Sequence, residues 1–205
     1  MELTFFETPT PHIIIDKIFT EDDLNFIWKE IEILTPNLLD ESETGAATEV
    51  YDEKILKKKN LGMFLHQMYN VPNISAIISK TQSRLFNENI VELLPTNHWF
   101  VNLYRMCNWI SVLLSYYEKE HYYKPHRDIS VFTALIWLWK EPKQFTGGDF
   151  MFSDHDYSVE CKNNRAIIFL GPEQHAVSTV NVNEEFIGKN YGRYTISCFT
   201  GLKSA

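Results

Sequence analysis

The stretch HYYKPHRDISVFTALIWLW, residues 121–139, places a histidine and an aspartate two positions apart in front of a long apolar run. Side chains alternate between the two faces of a β-strand, so residues i and i+2 point the same way. His126 and Asp128 can therefore reach one metal ion from a strand or from a turn beside it. A lone HxD pair is common by chance, so a metal site needs a third ligand from elsewhere in the chain.

The composition is that of a folded, acidic protein. Of the 205 residues, 44% are hydrophobic and 14% are aromatic, and the formal net charge is −8. An acidic chain without a Lys/Arg stripe argues against the phosphate contacts that dominate nucleic-acid binding, so we expect no nucleic-acid partner. The basic run KILKKKN at 54–60 is expected to be a solvated face. The length and the absence of a linker predict one domain, 1–205.

Cysteine usage and hydropathy predict a cytoplasmic protein without membrane association. The cysteines are odd in number, widely spaced and free of a CxxC pattern, which favours reduced thiols over a disulfide framework. They are Cys107, Cys161 and Cys198. The N-terminus lacks the basic region and continuous apolar run of a secretory signal. No segment approaches the roughly 18 to 20 apolar residues that span a bilayer. The oligomeric state stays open.

The part of the chain at 1–97 predicts one strand followed by supporting helices. PHIIIDKIF at 11–19 is rich in β-branched residues and predicts a short strand. Thr20, followed by three acidic residues, predicts the start of a helix. Apolar residues then recur at helical spacing until Pro36 ends the helix. These residues are Leu24, Ile27, Trp28, Ile31 and Leu34.

Further helices are predicted between this first helix and the second half of the chain. Helical patterns cover about 60–70 and 73–92, with Pro72 between them and Pro95 after them. The polar and acidic residues 40–53 predict a loop.

After about residue 98 the pattern changes to short β-rich runs separated by turn residues. The runs are WISVLLSYY, VFTALIWLW, GGDFMF, YSVEC, RAIIFL, AVSTV and RYTISCF. Seven or eight such strands with Gly, Pro, Asn and Asp breaks predict an antiparallel sandwich or barrel. A chain in which helices precede strands is typical of an α+β protein, in which the helices should buttress one sheet.

His175 is the candidate for the third metal ligand. It lies in FLGPEQHAVSTV, directly after an apolar strand and a Gly-Pro turn, where a side chain can point at a pocket mouth. The other histidines lie in the helical half or in polar loop sequence: His12, His66, His98, His121 and His155. Two imidazoles and one carboxylate form the facial triad of non-haem Fe(II) oxygenases, which leaves coordination positions open.

Taken together, these motifs resemble the 2-oxoglutarate- and Fe(II)-dependent dioxygenase superfamily, particularly its prolyl 4-hydroxylase-like branch. The matching pieces are, in chain order, YYEKEHYYKPHRD, TALIWLW, FTGGDFMF, GPEQHAVSTV and GRYTIS. The similarity covers roughly 108–203, and TPTPHIIIDKIFTEDDLNFIWKEI is similar to the family's N-terminal strand and helix. It implies a double-stranded β-helix, or jelly-roll, core of antiparallel strands over 98–205, buttressed by the N-terminal helices.

The resemblance implies a role for each polar residue of these motifs. Fe(II) would be bound by His126, Asp128 and His175. Arg193 would pair with the C5 carboxylate of 2-oxoglutarate, because a guanidinium is a bidentate and permanently charged partner. Tyr117 would hydrogen-bond to the same carboxylate. Thr195 lies two residues after Arg193, points to the same face and would add a hydroxyl donor.

Some assignments stay open at this point. The gap of 18 residues from His175 to Arg193 exceeds the family's usual spacing, so NVNEEFIGKNYG would be an enlarged hairpin loop. If it is instead continuous strand, Lys189 becomes the competing carboxylate anchor. Tyr123 either lines the pocket or packs in the core. Trp137 and Trp139 are expected to fill the core.

The implied reaction is hydroxylation of an unactivated C–H bond with Fe(II), 2-oxoglutarate and O2, and ascorbate stays open as a further cofactor. Asp128 favours hydroxylation over halogenation, because halogenating relatives lose this carboxylate. Proline in a peptide or protein, or as a free amino acid, is the expected substrate. Another amino acid or small molecule stays open, with Arg127 and Arg165 as candidate partners of a substrate carboxylate.

Two alternative classes fit the residues less well. A cupin-type metalloenzyme usually shows clustered histidines in an HxH pattern with a nearby glutamate, which this chain lacks. A non-catalytic jelly-roll binding domain would have to bury a His/Asp/Arg cluster without a metal or ligand, which is costly.

Overall fold

The computed structural model describes residues 1–44, 48–50, 54–86, 92–95 and 97–203. Its helices are α1 Glu21–Leu34, α2 Leu65–Met68, α3 Ala76–Leu85 and α4 Trp99–Met106. Its strands are β1 Glu2–Phe6, β2 His12–Asp16, β3 Thr48–Val50, β4 Lys54–Leu56, β5 Lys58–Lys59, β6 Leu61–Phe64, β7 Trp109–Tyr117, β8 His121–His126, β9 Phe132–Leu138, β10 Phe145–Thr146, β11 Phe150–Phe152, β12 Tyr157–Val159, β13 Arg165–Leu170, β14 His175–Val182 and β15 Arg193–Gly201. Short 3₁₀ turns cover Thr35–Asn37, Pro72–Ile74 and Glu184–Phe186. In this described part of the chain, no helix is both long and apolar enough to cross a membrane.

Two antiparallel sheets packed face to face form the core. The major sheet has the order β1-β2-β13-β9-β15-β7-β6, and the minor sheet has the order β12-β11-β14-β8-β5, with β10 also paired to β14. Apolar side chains from both sheets meet between them, and the helices α1, α3 and α4 cover the outer face of the major sheet. The predicted α+β jelly roll with buttressing helices is confirmed.

Strand β9 shows why the apolar run behind the HxD pair is continuous. Ala134 and Ile136 pack in the cluster under the helices, whereas Leu135 and Trp137 pack between the two sheets. Every residue of the strand is buried, because both faces of the major sheet are covered at this point. The expectation that Trp137 fills the core agrees with this placement.

Helix α1 begins and ends where the sequence predicts. Thr20 Oγ1 accepts a hydrogen bond from the Asp23 N–H, and the Thr20 N–H donates to Asp23 Oδ2, which completes a capping box. The helix ends at Leu34, just before Pro36. Strand β2 likewise occupies the centre of the stretch 11–19 that predicts a strand.

The helix predicted over 60–70 is wrong for its first half. Residues Leu61–Phe64 form strand β6, which pairs with β7, and only Leu65–Met68 form a helical turn. The backbone of Gly62 also exchanges two hydrogen bonds with Leu39, so this segment is held by strand pairing on both edges. Glycine is a weak helix former, and these non-local backbone bonds override the local pattern.

Three other predicted segments differ in part from the structure. Helix α3 lies inside the predicted span 73–92 but starts after Ser75, whose Oγ caps it; 87–91 lie outside the described residues. The predicted loop 40–53 contains strand β3, with 45–47 and 51–53 not described. Helix α4 falls inside the region expected to be β-rich, because its buried residues Phe100, Val101 and Tyr104 lie on one helical face.

The basic run 54–60 is not a solvated face. Strand alternation turns Lys58 inward, where it is 3% exposed, while Lys59 stays partly exposed. The Lys58 Nζ donates to the carbonyl and hydroxyl oxygens of Thr44, at 3.1 and 3.0 Å. The sequence pattern alone could not indicate this, because the partner lies 14 residues earlier in the chain.

Candidate metal centre

The three residues predicted to bind iron lie together at one end of the minor sheet. His126 ends β8 and His175 begins β14, and the two are direct cross-strand neighbours. Asp128 follows in the turn after β8, where its N–H donates to the Gly171 carbonyl. One ligand atom from each of the three side chains lies within 4.8 Å of the others. The His126 Nε2–Asp128 Oδ1 distance is 3.8 Å, and the His175 Nε2–Asp128 Oδ2 distance is 3.5 Å.

Hydrogen bonds behind the cluster fix the orientation of each side chain. His126 Nδ1 lies 2.9 Å from the Lys124 carbonyl oxygen, and His175 Nδ1 lies 2.8 Å from the Glu173 carbonyl oxygen. A carbonyl only accepts, so each Nδ1 donates its proton and each Nε2 keeps its lone pair for the cluster centre. Thr133 Oγ1 donates to Asp128 Oδ2 at 2.6 Å and holds the carboxylate in place.

Both imidazoles are held in the neutral form that binds metals. Burial lowers the pKa of His126 to about 3, and the neighbouring His175 imidazole contributes to this shift. Burial also lowers the pKa of His175, although the nearby Asp128 carboxylate acts in the opposite direction. The ring of Tyr123 stacks on His126 with centroids 3.4 Å apart and planes inclined by 8°. Tyr123 therefore lines the site and supports a ligand-bearing ring, which answers the question that the sequence left open.

A cavity of about 200 Å³ opens onto these side chains, and Arg193 lies at its wall. Arg193 is fully buried, and its guanidinium carbon lies 4.3 Å from the ring centroid of Tyr117. Its Nη1 donates to the carbonyl of Gly148. Gly148 has φ of +81°, and a Cβ there would come within 3.1 Å of Arg193 Cδ. The double glycine of FTGGDFMF therefore lets the backbone approach the guanidinium closely.

The described residues satisfy the Arg193 guanidinium only in part. Its Nε and Nη2 are buried without a hydrogen bond to any described residue, as is the Thr195 hydroxyl. Elsewhere in the chain, Arg165 uses the same two nitrogens to bind Asp16 side-on, with N–O distances of 2.6 and 2.8 Å. A carboxylate entering the cavity would complete the same pair at Arg193, because buried polar groups are normally hydrogen-bonded.

The residues present therefore fit both groups that the sequence implies. A His–Asp–His cluster with Nε2 atoms turned inward matches the donor set of a facial Fe(II) site. The unpartnered Nε, Nη2 and Thr195 Oγ1 atoms match the distal carboxylate of a dicarboxylate such as 2-oxoglutarate. Tyr117, to which the resemblance assigns the same carboxylate, is buried beside Arg193.

The competing cations of the sequence analysis lie elsewhere. Lys189 is exposed in the loop before β15, with its Nζ 5.9 Å from the ring centroid of Phe186. Arg127 donates to Asp154 at 2.7 Å on the surface, and Arg165 is paired with Asp16. None of these three lines the described cavity, so the geometry favours Arg193 as the carboxylate partner.

Comparison with known proteins agrees with this geometry. Residues 112–201 match the model of the family described as the 2OG-Fe(II) oxygenase superfamily. A search of curated proteins gave no significant match.

Similar folds occur among solved structures. One is a prolyl hydroxylase from Trichoplax adhaerens in complex with a peptide fragment of the hypoxia inducible factor oxygen degradation domain: 11% identity, TM-score 0.63, covering 93% of this chain and 83% of that one. A prolyl-4-hydroxylase from Pseudomonas putida is 14% identical, with TM-score 0.56 over 94% of this chain and 93% of that one. OsALKBH1 is 13% identical, with TM-score 0.55 over 97% of this chain and 99% of that one. At these identities the likenesses show the fold alone.

Proposed function

Since residues 112–201 belong to the 2OG-Fe(II) oxygenase superfamily, we propose that this chain hydroxylates an unactivated C–H bond of proline, in a peptide or protein or as the free amino acid. The domain is a 2-oxoglutarate-dependent dioxygenase, and the cofactors of this class are Fe(II), 2-oxoglutarate and O2. A single-domain enzyme in the cytoplasm is part of the proposal.

One observation carries the proposed chemistry: three inward-facing ligand side chains and an unpartnered guanidinium edge open into the same cavity. Fe(II) would be held by His126, Asp128 and His175. Arg193 and Thr195 would hold the distal carboxylate of 2-oxoglutarate. Bound together, Fe(II) and 2-oxoglutarate supply the oxidising power to insert one oxygen atom of O2 into a C–H bond, with succinate and CO2 as by-products.

The protein's own side chains provide orientation and exclude water. The Nδ1–carbonyl bonds of His126 and His175 keep both Nε2 lone pairs directed at one point. Thr133 fixes the rotation of the Asp128 carboxylate. The stacked ring of Tyr123 shields one side of His126. These contacts hold the donor atoms in place before any ligand arrives, which is the condition for precise positioning of a C–H bond.

A second cavity beside the cluster supports an uncharged substrate group. It has a volume of about 330 Å³ and shares Asp128 with the ligand cluster. Its other walls are aromatic, aliphatic or hydroxyl-bearing: Phe64, Trp109, Ser111, Ile129, Ser130 and Phe199. An apolar ring such as that of proline fits such walls better than a phosphate or a charged side chain would. The peptide-bound prolyl hydroxylase of similar fold adds support for a peptide substrate. Another amino acid or small molecule is the alternative.

The test of the proposed chemistry is anaerobic binding followed by aerobic turnover. Fe(II) and then 2-oxoglutarate are added without O2, and the weak visible charge-transfer band of their complex is recorded. We expect a band with the unchanged protein and none with His126→Ala. Proline-containing peptides and free proline are then screened in air for substrate-dependent succinate and for a mass gain of one oxygen atom.

The outcomes separate the two parts of the proposal. Absence of the band in a protein that is folded by circular dichroism would contradict the Fe(II)/2-oxoglutarate chemistry. A band without hydroxylation of any proline substrate, but with turnover of another amino acid, would contradict only the prolyl assignment. The variant Arg127→Ala is the matched control, because Arg127 lies next to the ligands in sequence but is bound to Asp154 on the surface. It should keep the band.

A further inference from the structure

Asn60 brings one more buried polar group to the cavity, from outside the segment that matches the family. It follows β5, is 2% exposed, and lines the cavity together with Tyr117 and Arg193. Its Oδ1 has no hydrogen-bond partner among the described residues. A buried amide group without a partner costs stability, so its presence in a ligand cavity calls for an explanation.

The strand register places Asn60 beside the carboxylate-binding residues. Leu61 pairs with Tyr116 between β6 and β7, so the preceding residue, Asn60, comes opposite Tyr117. Tyr117 in turn pairs with Arg193 between β7 and β15. Side chains opposite one another on neighbouring antiparallel strands share a face. Asn60, Tyr117 and Arg193 thus form a band of three polar side chains across the cavity floor.

The amide of Asn60 also influences the Tyr117 hydroxyl. Burial raises the pKa of Tyr117, whereas the charge of Arg193 and hydrogen bonding from Asn60 lower it. The Asn60 amide has a carbonyl end and an NH₂ end, and its carbonyl oxygen has no partner among the described residues. The two ends have nearly the same shape, and a half-turn of the amide exchanges a carbonyl oxygen for an NH₂ group.

We propose that Asn60 is a further binding residue for the distal carboxylate of 2-oxoglutarate, to which its Nδ2 donates a hydrogen bond beside Arg193 and Tyr117. This inference rests on the proposed function. Arg193 supplies a side-on pair of donors, and a carboxylate has about four acceptor positions, so room remains for an amide donor. The half-turn directs Nδ2 at the carboxylate in place of the unpartnered carbonyl oxygen, which would repel it.

The inference predicts selectivity for the distal carboxylate, which two ligands can measure. 2-Oxopentanoate has the same keto acid end as 2-oxoglutarate but no second carboxylate. Anaerobic calorimetry gives the Kd of each ligand for the Fe(II)-loaded protein and for Asn60→Leu, a change of similar shape. We expect the Kd of 2-oxoglutarate to rise at least about tenfold, as for loss of a hydrogen bond to a charged group. The Kd of 2-oxopentanoate should not change.

Stability and a second variant separate binding from a merely structural role. The ligand-free Asn60→Leu protein should be no less stable to urea than the unchanged protein, because a buried unpartnered polar group is removed. Asn60→Asp keeps the shape but places a negative charge at the carboxylate, so it should bind 2-oxoglutarate more weakly than Asn60→Leu does. The control Asn108→Leu, at an exposed asparagine outside the cavity, should leave both Kd values unchanged.

Each contrary outcome has a distinct meaning. If Asn60→Leu weakens both ligands equally, Asn60 does not contact the distal carboxylate, and the inference is overturned. If it weakens neither, the inference is overturned as well, while the proposed function stands. If the unchanged protein binds no 2-oxoglutarate, the proposed function fails, and the inference fails with it.

Discussion

Replacing Arg193 with methionine should change ligand affinity and protein stability in opposite directions. The side chain is fully buried, Nη1 is bound to the Gly148 carbonyl, and Nε and Nη2 have no partner within the described chain. Methionine has a similar length and no charge. The ligand-bound protein therefore loses two donors to a carboxylate, whereas the ligand-free protein loses a buried cation that is only partly compensated.

The structure sets the size of both effects. Hydrogen bonds to charged groups contribute about 1.5–3 kcal/mol each, so two of them correspond to about 3–6 kcal/mol. The Kd of 2-oxoglutarate should then rise roughly 10²- to 10⁴-fold. Burial of an ion costs several kcal/mol, and removal of Arg193 recovers the part of this cost that its contacts do not offset. Loss of the contact with the Tyr117 ring, about 1 kcal/mol, and of the hydrogen bond to the Gly148 carbonyl, about 1.5–3 kcal/mol, opposes this gain. The free energy of unfolding without ligand should therefore stay the same or increase.

Anaerobic calorimetry with 2-oxoglutarate and urea unfolding of the ligand-free protein measure the two effects separately. Arg165→Met is the matched control, because Arg165 uses the same two nitrogens to bind Asp16 away from the cavity. It should lower the free energy of unfolding and leave the Kd unchanged. An unchanged Kd in Arg193→Met would refute the assignment of this residue. A clear loss of ligand-free stability in that variant would refute the argument that the unpartnered edge is costly.

Two further perturbations address the ligand cluster and the pH dependence of stability. Thr133→Val keeps the side-chain shape but removes the hydroxyl that holds Asp128. The Kd for Fe(II), measured by chelator competition, should therefore rise about 10- to 100-fold. An unchanged Kd would count against this role of Thr133. His12 is fully buried, and burial lowers its pKa, so its contribution to stability is present above about pH 6.5 and is lost as the pH falls below that value. Urea unfolding at pH 5, 6, 7 and 8 should show a smaller decrease toward low pH in His12→Phe than in the unchanged protein, and equal slopes would contradict the argument.

The ligand cluster could be anticipated from the sequence because its determinants are local. The HxD spacing, the strand that follows it and the Gly-Pro turn before His175 are each visible within a few residues. The structure adds that His126 and His175 are cross-strand neighbours, which brings ligands 49 positions apart in the chain onto one ion site. The apolar character of β9 likewise follows from its local sequence, since burial on both faces removes any alternation.

The part of the cavity wall contributed by residues 58–64 could not be anticipated, because the strand pairing that places these residues is non-local. The segment 58–64 reads as a basic run followed by a helical pattern, yet it crosses from the minor sheet to the major sheet. Lys58 pairs with Tyr123 on β8, and three residues later Leu61 pairs with Tyr116 on β7. Two-residue and four-residue strands are too short to show a period, so their existence depends on partners about fifty or more positions away.

The cavity differs in polarity between its two ends. The band containing Arg193 lies at one end, and Asn60 contributes to it as the last residue before β6. Further along the same strands, the cavity wall contains Phe64, Leu113 and Phe199. Among the described residues that line the cavity, unpartnered buried donors lie at the first end only, where a charged ligand would offset their cost. The second end shares Phe64, Asp128 and Phe199 with the cavity beside the ligand cluster. Under the proposed function, this arrangement would order the two ligands: fixed donors would hold the dicarboxylate at the polar end, and an uncharged substrate would approach from the apolar end.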